Sequence, residues 1–411
     1  MPHTINHNLM KKRKFGLLPK VATAIVLGIL FGLIFPGWAV RIFTTFNAFF
    51  SSFLGFIVPL LILGLIAPGI AELGKGAGRM LMITVTLAYL FTLFSGFFTY
   101  FTCDLIYPYV LKDAASMVVE EGAEGVTTLP FFTIAIPPLM DIMSALFLAF
   151  TLGMGVSVIG GASLRNVLTD FKELIHKVIV GVIIPILPIF IFGIFFEMTF
   201  AGKVASVLGI FIKIIVVIFA MTVILLLIQY SFAGIIGKTN PLRHLKNMLP
   251  AYVTALGTQS SAATIPVTLQ QTIKNKIPEH IANFVIPLCS TIHLSGSTLK
   301  IVACSLAIIM TSGMDIGFAQ FAGFIFMLAI VMVAAPTVPG GAIMASIGIL
   351  QSMLGFNQEA IGLMIALYIA MDSFGTACNV TGDGSIAIII TKIAESDEKR
   401  AQKKCAKERI A

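Results

Sequence analysis

Asp372-Ser-Phe-Gly375-Thr376-Ala-Cys-Asn379-Val-Thr-Gly-Asp383 places two carboxylates, an amide and several hydroxyls inside an otherwise almost uncharged apolar run. On a helix, Asp372, Thr376, Asn379 and Asp383 follow one another at intervals of four, three and four, so all four line one face. A charge at the centre of a bilayer costs about 2.5–3.5 kcal/mol even on lenient insertion scales. Two on one stripe point to a binding site. The plainer alternative is a pair of carboxylates satisfied by backbone amides or neighbouring helices.

Composition supplies the membrane around this stripe. Of 411 residues, 58% are hydrophobic and 11% charged, whereas soluble domains carry about 25% charged residues. Apolar runs of spanning length, about 20 residues each, lie near 16–36, 46–71, 79–108, 130–160, 172–200, 204–236, 281–311 and 357–394. They are too long and lack the alternation for outer-membrane barrel strands. Two further stretches, about 244–273 and 318–355, are interrupted by small polar residues or by Pro and Gly. These read as broken elements.

Charge sets the topology. Lys11–Lys14, Lys75, Arg79, Arg165, Lys172, Lys177, Lys238, Arg243, Lys246, Lys274, Lys276 and the 395–411 tail all fall on one side if the chain crosses eight times. The opposite loops carry Asp113, Glu120, Glu121, Glu124 and Asp315, with Lys203 as the exception. By the positive-inside tendency both ends are expected in the cytoplasm, the two broken stretches each entering and leaving on one side. A signal peptide is disfavoured, since residues 21–35 run on without a clear cleavage site. The net charge of +8 sits at segment ends and does not suggest nucleic acid. The expected fold is an all-α polytopic membrane protein of the plasma (inner) membrane. It has eight transmembrane helices and two re-entrant helical hairpins.

The first hairpin holds Gly257-Thr-Gln259-Ser260-Ser261-Ala-Ala-Thr264-Ile-Pro266, and the second Ala334-Ala-Pro336-Thr337-Val338-Pro339-Gly340-Gly341. Irregular backbone at membrane depth is tolerated only where it is buried or lines a cavity, and half-helix amides suit an anionic group. Either stretch read alone is also compatible with a Pro-kinked helix. Between them Thr291-Ile-His293-Leu294-Ser295-Gly296-Ser297-Thr-Leu-Lys300 suggests an unwound segment around Gly296 whose carbonyls face a cation. Interrupted segments placed around polar helices form the inverted-repeat transporter pattern, with its site at the midplane. The five cysteines have no metal-ligand spacing and read as small packing residues.

Over its whole length and order the chain resembles the dicarboxylate/amino acid:cation symporters, which include the excitatory amino acid transporters and their prokaryotic homologues. The specific match lies in the Ser260-to-Pro266, Thr337-to-Gly341 and Asp372-to-Asp383 motifs, with a Tyr89-Leu-Phe-Thr92 echo in the third segment. The resemblance implies a homotrimer whose scaffold (1–78 and 109–200) holds an elevator-type transport domain (79–108 and 201–394), with 395–411 a cytoplasmic tail. It implies an amino acid held by Asp372 through its amino group. Its carboxylate would be held by Ser260, Ser261 and Thr264 with Val338 and Gly341, while Gly375, Thr376 and Asn379 complete the pocket. One sodium ion would lie on Asp383, Asn379 and backbone at His293 and Leu294, and another at Thr291.

Departures from the family pattern narrow this. Members that carry acidic substrates have an arginine one residue before the position of Thr376, where this chain has Gly375; Gln259 also takes the place of an arginine found in some members. Without a cation to pair a second carboxylate, an acidic solute is disfavoured. A neutral amino acid, small or hydroxylated, is expected. The family's Asn-Met-Asp-Gly-Thr reads His293-Leu-Ser295-Gly296-Ser297, and Leu93 follows Thr92, so a further sodium site is expected to be lost. His293 has two readings, a proton-coupling group or a histidine satisfied by a hydroxyl, and the second is preferred. Lys300 either stands in for the missing cation or snorkels toward the outer surface, and again the second is preferred. Asp141 is expected to be structural.

The function expected is sodium-coupled import of an amino acid, with altered or proton coupling and no organic cofactor. A weakly coupled or uncoupled channel or receptor of the same fold, or a symporter for an acidic amino acid or dicarboxylate, are the alternatives. An enzyme is disfavoured, since no catalytic motif appears.

Overall fold

The computed structural model describes residues 17–73, 79–111, 129–202, 204–336 and 338–408. Lys11–Lys14, Lys75, Lys203, Thr337 and the acidic residues of the 109–129 loop lie outside them. The described chain is helical: α1 (Leu17–Ile34), α2 (Gly37–Leu73), α3 (Arg79–Val110), α4 (Ile142–Ile159), α5 (Ala162–Val178) and α6 (Ile184–Phe200) come first. A π-helical turn, Ile179–Ile183, joins α5 to α6. There follow α7 (Val204–Gly237), α8 (Pro241–Thr258), α9 (Ser261–Lys274), α10 (Glu279–Ile292) and α11 (Ser295–Thr311). The chain closes with α12 (Phe318–Ala334), α13 (Gly341–Leu354), α14 (Gln358–Ala370) and α15 (Asp372–Glu408).

Among the described residues six helices are long and apolar enough to cross a membrane, or seven if α14 and the apolar part of α15, bent by 61° at their junction, count as one span. The expected span at 130–160 is the one that differs. Residues 129–141 form no helix and only α4 remains. Pro130, Pro137 and Pro138 explain it, because each removes a backbone donor and disfavours helix in the residue before it. Asp141 caps what is left, its carboxylate accepting the Ser144 amide at 2.9 Å and the Ser144 hydroxyl. This gives the acid the structural role expected of it, as a helix N-cap.

The two interrupted stretches are helical hairpins. Their arms, α8 with α9 and α12 with α13, have 18, 14, 17 and 14 residues and fold back on each other. Each arm is shorter than the roughly 20 residues of a span. Packing sorts the helices into two sets. α1, α2, α4, α5 and α6 pack chiefly on one another, while α3, α7, α10 and both hairpins gather around α11 and α15. The sets meet where α12 and α13 touch α2 and where α14 touches α1. The second set carries nearly every buried polar group at membrane depth, from Thr92 and Gln229 to Asp383.

Candidate functional site

The site forms where α10 gives way to α11 against the start of α15. His293 (φ −105°, ψ 96°) and Leu294 (φ −118°, ψ 44°) leave helical geometry, so the chain breaks there and not at Gly296, which already lies in α11. The β-branched and hydroxyl residues before the break and the polar run after it make this the weakest point of a span that is otherwise fully buried. The first amides of a helix have no partner within it. Asn379 supplies one from α15, its Oδ1 accepting Gly296 N at 2.7 Å and Ser297 N at 3.3 Å. Its Nδ2 donates to Ser297 Oγ at 3.1 Å, where Tyr368 OH also arrives at 3.1 Å. The carbonyl of Leu294 accepts from Thr298 N at 2.9 Å. Asn379→Ala is therefore expected to cost about 1 kcal/mol, as other lost N-caps do. Unfolding of the ligand-free protein measures it, and an unchanged midpoint would remove the capping role.

Asp372 opens α15 and is 5% exposed. Its Oδ2 accepts Gly340 N at 2.8 Å, from the tip of the second hairpin, where Gly340 adopts φ 76°. Its Oδ1 lies 3.0 Å from the ammonium of Lys300. Lys300 is fully buried and does not snorkel; its Nζ also sits 3.7 Å from the centre of the Tyr368 ring. Snorkelling fails because Lys300 stands within α11, walled by α15 and α14, with no exposed surface and a carboxylate at 3.0 Å. Gly375 makes room for it, since a Cβ at 375 would overlap Cε of Lys300 and lie 2.5 Å from its Nζ.

One turn further into α15, Thr376 is buried, and Asp383 lies two turns beyond it with 1% exposure. Nδ1 of His293 is 2.9 Å from Asp383 Oδ1, so the histidine meets a carboxylate and not the expected hydroxyl. Among the described residues, Asp383 Oδ2, His293 Nε2 and Gln229 Oε1 have no hydrogen-bond partner. Gln229 donates to Ser295 Oγ at 3.1 Å, and Ser95 donates to the Ser295 carbonyl at 2.7 Å. Buried polar atoms are nearly always partnered, so orphaned oxygens beside a buried carboxylate mark a place for a water or small cation.

At the first hairpin's tip Gln259 (φ 53°) ends α8, and Ser260 caps α9 by accepting Ala263 N at 3.3 Å. Thr264 donates to the Ser260 carbonyl at 2.8 Å and meets Thr258 Oγ1 at 2.9 Å. These hydroxyls hold the turn itself, while Ser261 is buried at the head of α9. At the other tip, Gly341 N closes the turn onto the Val338 carbonyl at 2.8 Å. Thr291 faces a cavity of about 660 Å³ whose walls include Ala334, Ala335 and Pro336 of the second hairpin and Lys172 and His176 of α5. The structure thus brings Asp372, Gly375, Asn379, His293, Leu294, Asp383 and the second hairpin's tip into one cluster. Among the described residues Thr291 makes no hydrogen bond to the cluster and instead donates to the Leu288 carbonyl at 2.7 Å.

Residues 17–393 match the profile of the Sodium:dicarboxylate symporter family. The chain belongs to that family. Among relatives of this symporter, the "Serine/threonine transporter SstT" of Streptococcus thermophilus is 28% identical over 400 residues, covering 92% of this chain and 96% of that protein. The human "Excitatory amino acid transporter 5" is 26% identical over 267 residues, covering 63% and 47%. "Excitatory amino acid transporter 1" of Ambystoma tigrinum is 27% identical over 288 residues, covering 68% and 52%. The family makes the chain a membrane transport protein of the cation-symport class, as its motifs suggested. Two members of the cluster had little signal of their own: Tyr368 and Gln229. A lone amide in the very apolar 204–236 run was the trace that Gln229 left.

Proposed function

We propose that the protein is a secondary active symporter that imports a small carboxylate-bearing amino acid or close analogue, driven by sodium. The observation that carries this is the 2.8 Å bond from the second hairpin's tip, Gly340 N, to Asp372 Oδ2. It ties the second hairpin's tip directly to the carboxylate that holds solute in this reading, so that loading and gate position are linked. Half-helix amides at Ser261 and Gly341 suit the solute's carboxylate. The cation takes Asp383 with the orphaned oxygens around it, and a second takes Thr291 with the second hairpin. His293, bonded to Asp383, alters this coupling and admits a proton to it. The separate packing of the two helix sets supports a fixed scaffold, 1–78 with 109–200, and a moving domain, 79–108 with 201–394, that travels as an elevator. A homotrimer in the plasma membrane, both ends in the cytoplasm, completes the proposal.

Two solute classes fit this frame. Gly375 and Gln259 in place of arginines favour a neutral amino acid, in keeping with the serine/threonine transporter among the relatives. Lys300 beside Asp372 favours an acidic one. Thermal unfolding of the purified protein against amino acids and dicarboxylates, in sodium or choline chloride, tests the symporter reading, because a ligand stabilises only by binding the folded state. A solute-dependent rise that needs sodium is expected. A rise equal in both salts would detach sodium from the mechanism.

A further inference from the structure

Tyr368 stands in α14 just before the bend into α15, and it is buried. Both ends of its side chain are engaged. Its hydroxyl donates to Ser297 Oγ at 3.1 Å, and the centre of its ring lies 3.7 Å from Lys300 Nζ. A side chain that only filled space would need neither contact; a phenylalanine would pack as well.

The two contacts lead to opposite ends of the site. Ser297 Oγ also accepts Asn379 Nδ2 at 3.1 Å, and Asn379 Oδ1 accepts the amides of Gly296 and Ser297. That is the cation end. Lys300 is 3.0 Å from Asp372 Oδ1, and Asp372 Oδ2 accepts Gly340 N at 2.8 Å. That is the solute end, with the second hairpin's tip attached. A cation drawing on Asn379 Oδ1 competes with the two amides and turns the carboxamide. Ser297 Oγ then changes one of its two donors, and the tyrosine hydroxyl pinned to it shifts. The attraction between an ammonium and a ring depends on how the ring is placed beneath it. Moving the ring therefore changes the hold on Lys300, and with it how freely Asp372 is offered to a solute.

We propose that Tyr368 is a positioning residue that couples the two ends: its hydroxyl reads the state of Asn379 through Ser297, and its ring passes that state to Lys300 and Asp372. The proposal rests on the symporter reading and adds the route by which sodium changes solute affinity. By linkage the same route makes solute change sodium affinity by an equal factor.

Titration calorimetry on the purified full-length protein tests it, with L-serine and L-aspartate as probes across a sodium titration at constant ionic strength. The readout is the gain in probe affinity between low and saturating sodium. Tyr368→Phe keeps the ring and should cut that gain about 5-fold, the size of one lost hydrogen bond. A purely structural role would weaken the probe equally at every sodium concentration and leave the gain untouched. Ser297→Ala removes the shared acceptor and should also cut the gain. The double variant should lose no more than Ser297→Ala alone, since both act on one path. A wild-type gain in Tyr368→Phe, or a double variant whose loss is the product of the two single losses, would overturn the relay and leave the symporter reading intact. No sodium-dependent gain for either probe in the wild-type protein would remove the symporter reading and this proposal with it.

Discussion

Asp372→Ala should abolish solute binding and lower the unfolding free energy by about 3–5 kcal/mol, since it leaves the Lys300 ammonium buried without a counter-charge. Both oxygens of Asp372 are engaged, by Lys300 at 3.0 Å and by Gly340 N at 2.8 Å. Removing the side chain therefore frees the second hairpin's tip as well. Lys300→Met should be destabilising for the mirror reason. The double variant Asp372→Ala, Lys300→Met should recover most of the lost stability, because replacing a buried pair by apolar groups is often close to neutral, but none of the binding. Unfolding of the four proteins closes the cycle. Single variants as stable as the wild type would mean that Lys300 reaches water, and the pair would be sunk.

Gly341→Ala is the second large effect. A Cβ at 341 would overlap the backbone carbonyl oxygen of Pro336 and stand 3.0 Å from its carbon. Gly341 N also closes the tip's turn onto the Val338 carbonyl at 2.8 Å. A flexible side chain can rotate away from such an intruder, but a backbone carbonyl moves only with its chain. The tip must open, at a cost of about 1–3 kcal/mol, and Gly340 N leaves Asp372 with it. Uptake into vesicles should fall to background while the protein remains folded. A variant that transports at the wild-type rate would separate this turn from the gate.

Several of these contacts were legible before any coordinates. The four-three-four spacing of Asp372, Thr376, Asn379 and Asp383 survives because all four do lie on one helix, and the hairpins show as Pro and Gly clusters inside apolar runs. What a one-dimensional pattern misses is the partner across helices. Lys300 and Asp372 are 72 positions apart, and nothing local distinguishes a lysine aimed at a carboxylate from one reaching for the interface. The same holds for His293 and Asp383, 90 positions apart. Hydropathy also misled at 130–160, where an apolar run satisfies the length of a span while its prolines forbid the helix. The break in the α10–α11 span falls at His293–Leu294 and not at Gly296, because Asn379 holds the amides of Gly296 and Ser297 in helical register.

The pairing of Lys300 with Asp372 has an electrical consequence. A carrier must return unloaded, and moving one elementary charge through the membrane field changes its energy by about 2.3 kcal/mol per 100 mV. A lone Asp372 would make that return journey voltage-sensitive. Bound to Lys300, it contributes no net charge, so membrane potential acts on the empty protein chiefly through Asp383 and its histidine. In the proposed elevator the lysine would let the unloaded domain cross the field with one charge fewer to move, leaving the influence of voltage to the proposed cation site.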